Sequence, residues 1–163
     1  MKRKRSLHRA QAGFSLIELL IVVAIIAILA TVAVPKLLKS LEAGRESAAI
    51  QSLRTVHQGQ AAFQAQKQRF ATLKELSEAG QLEANFANGA PISGYTYTSA
   101  PEVTQDSYCV QATRQAASTA SRDFNVIEDG TIRYVESKAP NPIPHGEGAP
   151  LADAGSAAGA PAK

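Results

Sequence analysis

Among the 163 residues of this chain, Glu18 gives the most information about function. It is the one charged residue in the apolar stretch from Phe14 to Val34, which is 21 residues long. A helix of about 20 such residues crosses the roughly 30 Å hydrocarbon core of a bilayer. A carboxylate inside that core costs a few kcal/mol and needs a partner. Glu18 therefore either lies shallowly among the lipid headgroups or is matched to a cation.

No combination of residues indicates a catalytic site, so we expect a protein that is not an enzyme and that has no cofactor. The histidines are His8, His57 and His145, and a metal site built from two of them lacks evident acidic ligands. Loop acids at the strand ends offer calcium the oxygen ligands that it prefers, but solvated acids are the simpler interpretation. These acids are Asp106, Asp123, Glu128 and Asp129.

The lone cysteine, Cys109, excludes an intramolecular disulfide. It lies in an apparent strand, where a free cysteine behaves as a small buried hydrophobe. A disulfide between two copies of the chain is the alternative.

Five Lys/Arg and no acid precede the apolar stretch, which predicts a cytoplasmic N-terminus. A secretory signal peptide is the alternative, because it also starts with basic residues. Its apolar region is only 7–15 residues long, however, and ends at a small-residue cleavage site. Here the stretch is longer, contains Glu18 and ends in Val34-Pro35-Lys36. We therefore predict a single-pass membrane helix with a cytoplasmic N-terminus.

The run Gly13-Phe14-Ser15-Leu16-Ile17-Glu18 resembles the class III leader of type IV pilins and of type II secretion pseudopilins. The resemblance covers about residues 1–40, and Pro35 falls where those proteins carry a helix-kinking proline. It implies that a prepilin peptidase cleaves after Gly13 and that the new amine of Phe14 is methylated. It also implies that Glu18 pairs with the amine of a neighbouring copy, so the expected partners are other copies of the chain and the pilus assembly machinery.

Elementary electrostatics agrees with this implied role of Glu18. An unperturbed α-amine has a pKa of about 7.7–8.0 and is mostly protonated at neutral pH. An opposite charge a few ångströms away favours the charged forms of both groups. Removing one partner of a buried pair costs about 3–5 kcal/mol.

Loss of the leader changes the net charge of the chain. Without residues 1–13, 12 Lys/Arg remain against 14 Asp/Glu, a net charge of about −2 instead of +3. The basic character therefore belongs to the leader and gives no support to nucleic-acid binding. A local basic patch, at Arg45 and Arg54 or at Lys67 and Arg69, is nevertheless compatible with a nucleic-acid partner.

After Pro35 the helical pattern continues to about residue 68, which gives a helix of about 50 residues, about 75 Å long. An apolar stripe at 4-3-4-3 spacing predicts one buried face that packs on a sheet, with most charged residues elsewhere on the helix. A two-stranded coiled coil is the alternative, but the repeat covers only about two heptads. The stripe consists of Ala49, Leu53, Val56, Gln60 and Phe63.

The next part of the chain predicts a short helix and then strands. Thr72 and Glu75 fit a capping box, and Gly80 is placed to end that helix. Segments rich in aromatic and β-branched residues then predict three or four antiparallel strands, two of them joined at Glu128-Asp129-Gly130. The fold class is therefore α+β, a long N-terminal helix packed on a small antiparallel sheet.

The last segment, 139–163, contains five of the eight prolines and four glycines. Such a composition buries little apolar surface, so it predicts a disordered tail. The chain thus divides into a cleaved leader (1–13), a transmembrane and assembly helix (14–34), its amphipathic continuation (35–70), an α+β head (71–138) and this tail.

Three functions are compatible with these features. The first is a type IV pilin-like subunit that polymerises through its N-terminal helix into a surface filament. The second is a secretion-system pseudopilin or a minor pilin, which the sequence does not separate from the first. The third is a single-span anchored binding protein that never polymerises.

Overall fold

The structure is a computed structural model that describes residues 14–100 and 103–151. The chain divides into two compact units, Met1–Lys39 and Ser40–Lys163, and each is considered by itself. Helix α1, Leu16–Lys67, begins in the first unit and ends in the second. The predicted long helix is therefore confirmed.

Within the second unit, α1 buries the face that the sequence predicts. All five residues of the predicted stripe are buried, and Ala49, Leu53 and Val56 are completely inaccessible. Glu46 differs from the expectation, because it lies one turn before Ala49 on the same face and is also buried. A carboxylate is buried there because the sheet supplies partners for it.

Two short helices follow α1. Helix α2, Leu73–Glu78, has the predicted capping box, in which Thr72 and Glu75 each accept a hydrogen bond from the other's backbone N–H. Gly80 follows the C-cap with φ +70, as predicted for the residue that ends the helix. Helix α3, Ala84–Ala87, is a single turn that the sequence pattern does not reveal.

The sheet has five antiparallel strands in the order β1-β2-β3-β4-β5. Four of them match the predicted segments, and the turn between β3 and β4 lies at the predicted position. In that turn Gly130 has φ +73, and a Cβ there would meet the imidazole of His57 at 2.7 Å, so a side chain would strain the backbone and displace His57. The strands are β1 Tyr95–Ser99, β2 Cys109–Arg114, β3 Arg122–Ile127, β4 Ile132–Glu136 and β5 Ala149–Pro150.

One face of the sheet joins the buried stripe of α1 in a single core. Paired residues of neighbouring strands form rows on this face, for example Tyr97, Ala112 and Phe124. Phe70 packs against Tyr108 with ring centroids 4.8 Å apart, which extends the core beyond the C-terminal end of α1. The α+β arrangement of helix on sheet is therefore confirmed.

The opposite face of the sheet is covered by residues 139–151, where the sequence predicted disorder. Ile143 is 1% exposed, and its carbonyl accepts a hydrogen bond from the Gln111 side chain at 2.8 Å. The Asn125 amide donates to the Pro144 carbonyl at 2.9 Å, and β5 pairs with β4. The prediction of disorder is thus wrong for 139–151, because side chains of the sheet bind the backbone of a segment poor in apolar residues. Residues 152–163 lie outside the described part of the chain, where the prediction stays a prediction.

Shortening Ile143 to alanine tests this correction. We expect Ile143→Ala to lower the free energy of unfolding by about 2–5 kcal/mol, the usual range for a buried isoleucine. The measurement is urea denaturation of the full chain in non-ionic micelles, followed by near-ultraviolet circular dichroism. Val135→Ala, at a half-buried position of β4, is the matched control and should lose less. Equal, small losses in both variants would contradict the packing of Ile143.

The capping box makes a pH-dependent contribution to stability. Hydrogen bonds from Arg69 and from the Thr72 backbone lower the pKa of Glu75 from 4.5 to about 2. The folded state thus prefers the ionised carboxylate, so its contribution is present above pH 4.5 and is lost as the pH falls through about 2. Since 36% of the Glu75 side chain is accessible to solvent, screening makes the effect smaller than the shift suggests.

We expect Glu75→Gln to flatten the dependence of the urea midpoint on pH between about 4.5 and 2. Thr72→Ala should cost about 1 kcal/mol at neutral pH through loss of the N-cap. Glu78→Gln, at the other end of α2, is the control and should keep the acid-side slope. A Glu75→Gln profile that matches that of the unmodified chain would refute the role of the carboxylate.

Candidate assembly site

The membrane-length part of α1, residues 16–34, is apolar on all sides apart from Glu18. None of it is buried within the described part of the chain. Leu16 exposes 76% of its surface, and Ile28 exposes 68%. A helix that is apolar all round is stable in a lipid bilayer or surrounded by other protein. By length and composition this helix can cross a membrane.

Glu18 lies in the first turn of α1 and is exposed. The first helical hydrogen bond joins the Leu19 N–H to the Ser15 carbonyl, with a distance of 3.2 Å, so Phe14 stands just before the helix. A carboxylate in a first turn also interacts favourably with the helix dipole, by about 0.3–1 kcal/mol. Glu18 can therefore stabilise its own helix and still present its charge to another molecule.

Pro35 lies inside α1, and the helix continues through it. Because proline has no N–H, the carbonyl of Thr31 lacks its usual helical donor. The Thr31 hydroxyl donates to the Ile28 carbonyl at 2.6 Å, which satisfies that hydroxyl within the apolar segment. The kink expected at Pro35 stays a prediction. Gly13, the expected cleavage position, lies outside the described residues.

An ion pair between the buried Glu46 and the half-buried Arg122 attaches the second half of α1 to the start of β3. Glu46 accepts hydrogen bonds from the backbone N–H and hydroxyl of Ser121, both at 3.2 Å. Its other oxygen accepts from two guanidinium nitrogens of Arg122, one of them at 2.8 Å. The Arg122 guanidinium also lies over the Tyr134 ring, 5.2 Å from its centre. Sequence reasoning missed this pair, because its partners are 76 positions apart.

Gln60, which the sequence placed on the apolar stripe, binds the chain that turns back after α1. Its side-chain amide donates to the Ala71 carbonyl at 2.6 Å and accepts from the Ala71 N–H at 3.0 Å. Both polar ends of the buried amide are thereby satisfied, which explains a glutamine at a position with no exposed surface.

The described histidines that the sequence raised for metal binding, His57 and His145, have other partners. His57 Nδ1 lies 2.7 Å from the Tyr108 hydroxyl, and His145 Nε2 lies 2.9 Å from Glu128. Burial raises the pKa of Glu128, but its hydrogen bonds, first that with His145, outweigh burial and leave this pKa lowered. Within 14–100 and 103–151, no three His, Cys, Asp or Glu side chains form a group that could hold a metal ion.

Asp123 is completely buried, so the interpretation of all four acids as solvated is wrong for this residue. It accepts hydrogen bonds from the backbone N–H groups of Arg114 at 2.8 Å and Asn141 at 3.0 Å. The buried Arg114 guanidinium donates to the backbone carbonyls of Ser137 and Ala139, both at 2.7 Å. These contacts connect two strands to the beginning of the C-terminal segment.

The Cys109 thiol is buried, as the sequence predicts. Burial, assisted by the nearby Glu128 carboxylate, raises the pKa of this thiol from 9.0 to about 11. Since the thiolate is the reactive form, Cys109 is poorly placed for disulfide exchange with another copy of the chain.

Comparison with known proteins bears on the N-terminal region. The model of the family described as a prokaryotic N-terminal methylation motif matches residues 8–34. The chain carries a prokaryotic N-terminal methylation motif. This motif contains the expected processing residues and Glu18, and the predicted resemblance to type IV pilins is confirmed.

The chain is also similar to the type IV major pilin protein PilA of Myxococcus xanthus (strain DK1622). The two are 42% identical over 59 residues, which are 36% of this chain and 27% of that pilin. The chain thus matches only about a quarter of the length of this relative.

Neutralising Glu46 tests its role in attaching α1 to the sheet. We expect Glu46→Gln to lower the free energy of unfolding by about 1.5–3 kcal/mol, because hydrogen bonds to a charged group are lost and Arg122 stays without its counter-charge. Glu42→Gln, one turn earlier on the same helix, is the matched control and should change little. The measurement is the urea midpoint of the full chain in micelles. Equal midpoints for both variants would contradict the assignment.

Proposed function

We propose that this chain is a type IV pilin-like structural subunit, processed by a prepilin peptidase and polymerised through its apolar N-terminal helix into a surface filament. The single observation that carries the proposal is the methylation motif at residues 8–34, with Glu18 as its only acid. The similarity to a major pilin supports the same function class.

The first step of the proposal is insertion and cleavage. The five bases of the leader stay on the cytoplasmic side while α1 enters the membrane. Cleavage after Gly13 removes those bases and leaves the amine of Phe14 as the new N-terminus. A methylated amine remains basic, so each processed subunit carries one cation at Phe14 and one anion at Glu18.

The second step is pairing between copies. In a bilayer, an unmatched Glu18 is costly, whereas a neighbouring ammonium supplies the missing charge. Each subunit has one group of each sign, so every added copy can bring a partner for the one before it. The unburied apolar side chains around Glu18 supply the surface through which helices of several copies pack.

The processed subunit is expected as a single-pass inner-membrane protein with its N-terminus in the cytoplasm, and as a surface or periplasmic filament after assembly. A secretion pseudopilin or a minor pilin uses the same processing and the same helix, so either is compatible with the motif. An anchored protein that never polymerises is the remaining alternative. Such a protein gains nothing from an acid in its membrane helix and should tolerate leucine at position 18.

Substitution of Glu18 distinguishes a subunit that polymerises from a protein that is only anchored in the membrane. We expect Glu18→Leu to leave membrane insertion intact and to lower incorporation into sheared filaments by about 100-fold or more, since a buried amine is left without its anion. Glu18→Asp keeps the charge and should retain part of the incorporation. Glu42→Gln, outside the membrane-length segment, is the matched control.

The measurement is the amount of chain in sheared filaments relative to the membrane, with the N-terminus read by mass spectrometry. The unmodified chain should begin at N-methylated Phe14. Filaments of normal yield from Glu18→Leu would refute the pairing. A chain that keeps its basic leader in filaments would refute the processing.

A further inference from the structure

Two lysines follow the membrane-length segment on α1. Lys36 and Lys39 are the only charged residues between Glu18 and Glu42, and both side chains are exposed. Within 14–100 and 103–151, no carboxylate lies within 4.0 Å of either ammonium group. The chain itself therefore supplies neither lysine with a counter-charge among the residues that the structure describes.

The helical rise places both lysines at the level of the lipid headgroups. Lys36 is 20 residues after Leu16, the first residue of α1, about 30 Å along the helix; with the two residues that precede the helix, it lies at least about 33 Å of chain rise from Phe14, and Lys39 about 4.5 Å farther. The hydrocarbon core is about 30 Å thick, and the whole bilayer with its headgroups is about 40–45 Å. If Phe14 marks the inner boundary of the core, both ammonium groups lie just beyond the outer boundary.

The two lysines also share one side of the helix. At 100° per residue, Lys36 and Lys39 are about 60° apart, and Leu37 and Leu38 point to the opposite side. The exposed leucines can remain in contact with acyl chains, while the lysine side chains extend their ammonium groups toward the phosphates.

We propose that Lys36 and Lys39 form a binding site for the phosphate groups of anionic phospholipids in the outer leaflet of the membrane. This site rests on the proposed function insofar as the helix must span the membrane with its N-terminus in the cytoplasm. Cleavage of the leader removes all five inner bases, so these two lysines become the basic anchor of the processed subunit. The anchor then lies only on the side toward which a surface filament grows.

The chain has no tryptophan, so one introduced tryptophan reports on its own surroundings. The test uses the full chain with Leu38→Trp in phosphatidylcholine vesicles that contain traces of pyrene-labelled phosphatidylglycerol or pyrene-labelled phosphatidylcholine. Energy transfer from the tryptophan to each labelled lipid gives the relative association of the two lipids near the site. The leader is present in every variant, so its own lipid contacts cancel in the comparison.

We expect a preference for phosphatidylglycerol that falls by up to about fivefold for each lysine changed to glutamine, which corresponds to about 1 kcal/mol per lysine. Lys36→Arg with Lys39→Arg should keep the preference. Lys67→Gln with Lys74→Gln, which removes the same charge at and beyond the C-terminal end of α1, is the matched control and should also keep it. Added salt should weaken the preference of the unmodified chain.

Two failures are distinguishable in the same experiment. A chain that does not float with the vesicles overturns both membrane insertion and the lipid site. A chain that floats, but whose preference is unchanged in Lys36→Gln with Lys39→Gln, overturns the lipid site and leaves the proposed function standing.

Discussion

Burial of apolar surface is the constraint on which the structure of α1 depends, and it differs between the two parts of this helix. The first part of the helix exposes large aliphatic side chains on every side, and within the described residues no part of the protein covers them. The second part buries one stripe of its surface in the core that it shares with the sheet, completely at Ala49, Leu53 and Val56. One continuous helix thus carries an apolar segment that none of the described residues cover and a segment that packs on the sheet.

Buried polar groups then fix how the sheet sits on the second part of α1. Hydrophobic burial has no direction and would tolerate several registers of helix on sheet. The Glu46 carboxylate needs the N–H of Ser121 and the guanidinium of Arg122, and the Gln60 amide needs Ala71. A shift of the helix by one turn would leave these groups buried without partners, at about 1–3 kcal/mol each or more for the charge.

The C-terminal segment completes the head on the second face of the sheet. The Arg114 guanidinium and the amides of Gln111 and Asn125 bind carbonyls of that segment, and Ile143 within the segment is buried. Hydrogen bonds to its backbone thus hold this segment against the sheet. The one cysteine, Cys109, is buried and unpaired. Such contacts suit a segment rich in proline, because a proline still offers its carbonyl as an acceptor.

The sequence alone determined the features that depend on local pattern. Residues close to one another in sequence are enough to predict five features. These are the length and hydropathy of the N-terminal segment, the buried stripe, the capping box at Thr72 and Glu75, the hairpin turn and the methylation motif. Each of them acts over a few helical turns or one hairpin, so periodicity and composition suffice to find it. The comparison with known proteins confirms the resemblance in that same N-terminal region.

Only the tertiary structure decided which polar residues are buried together. Glu46 is one of the charged residues expected mainly off the buried stripe, Asp123 was interpreted as a solvated loop acid, and Ile143 as part of a disordered tail. In each case a partner lies far away in sequence, and for Asp123 that partner is a backbone N–H, which composition does not reveal. Because a buried polar group is stable only with its partner in place, such pairs can be recognised once the fold has brought them together.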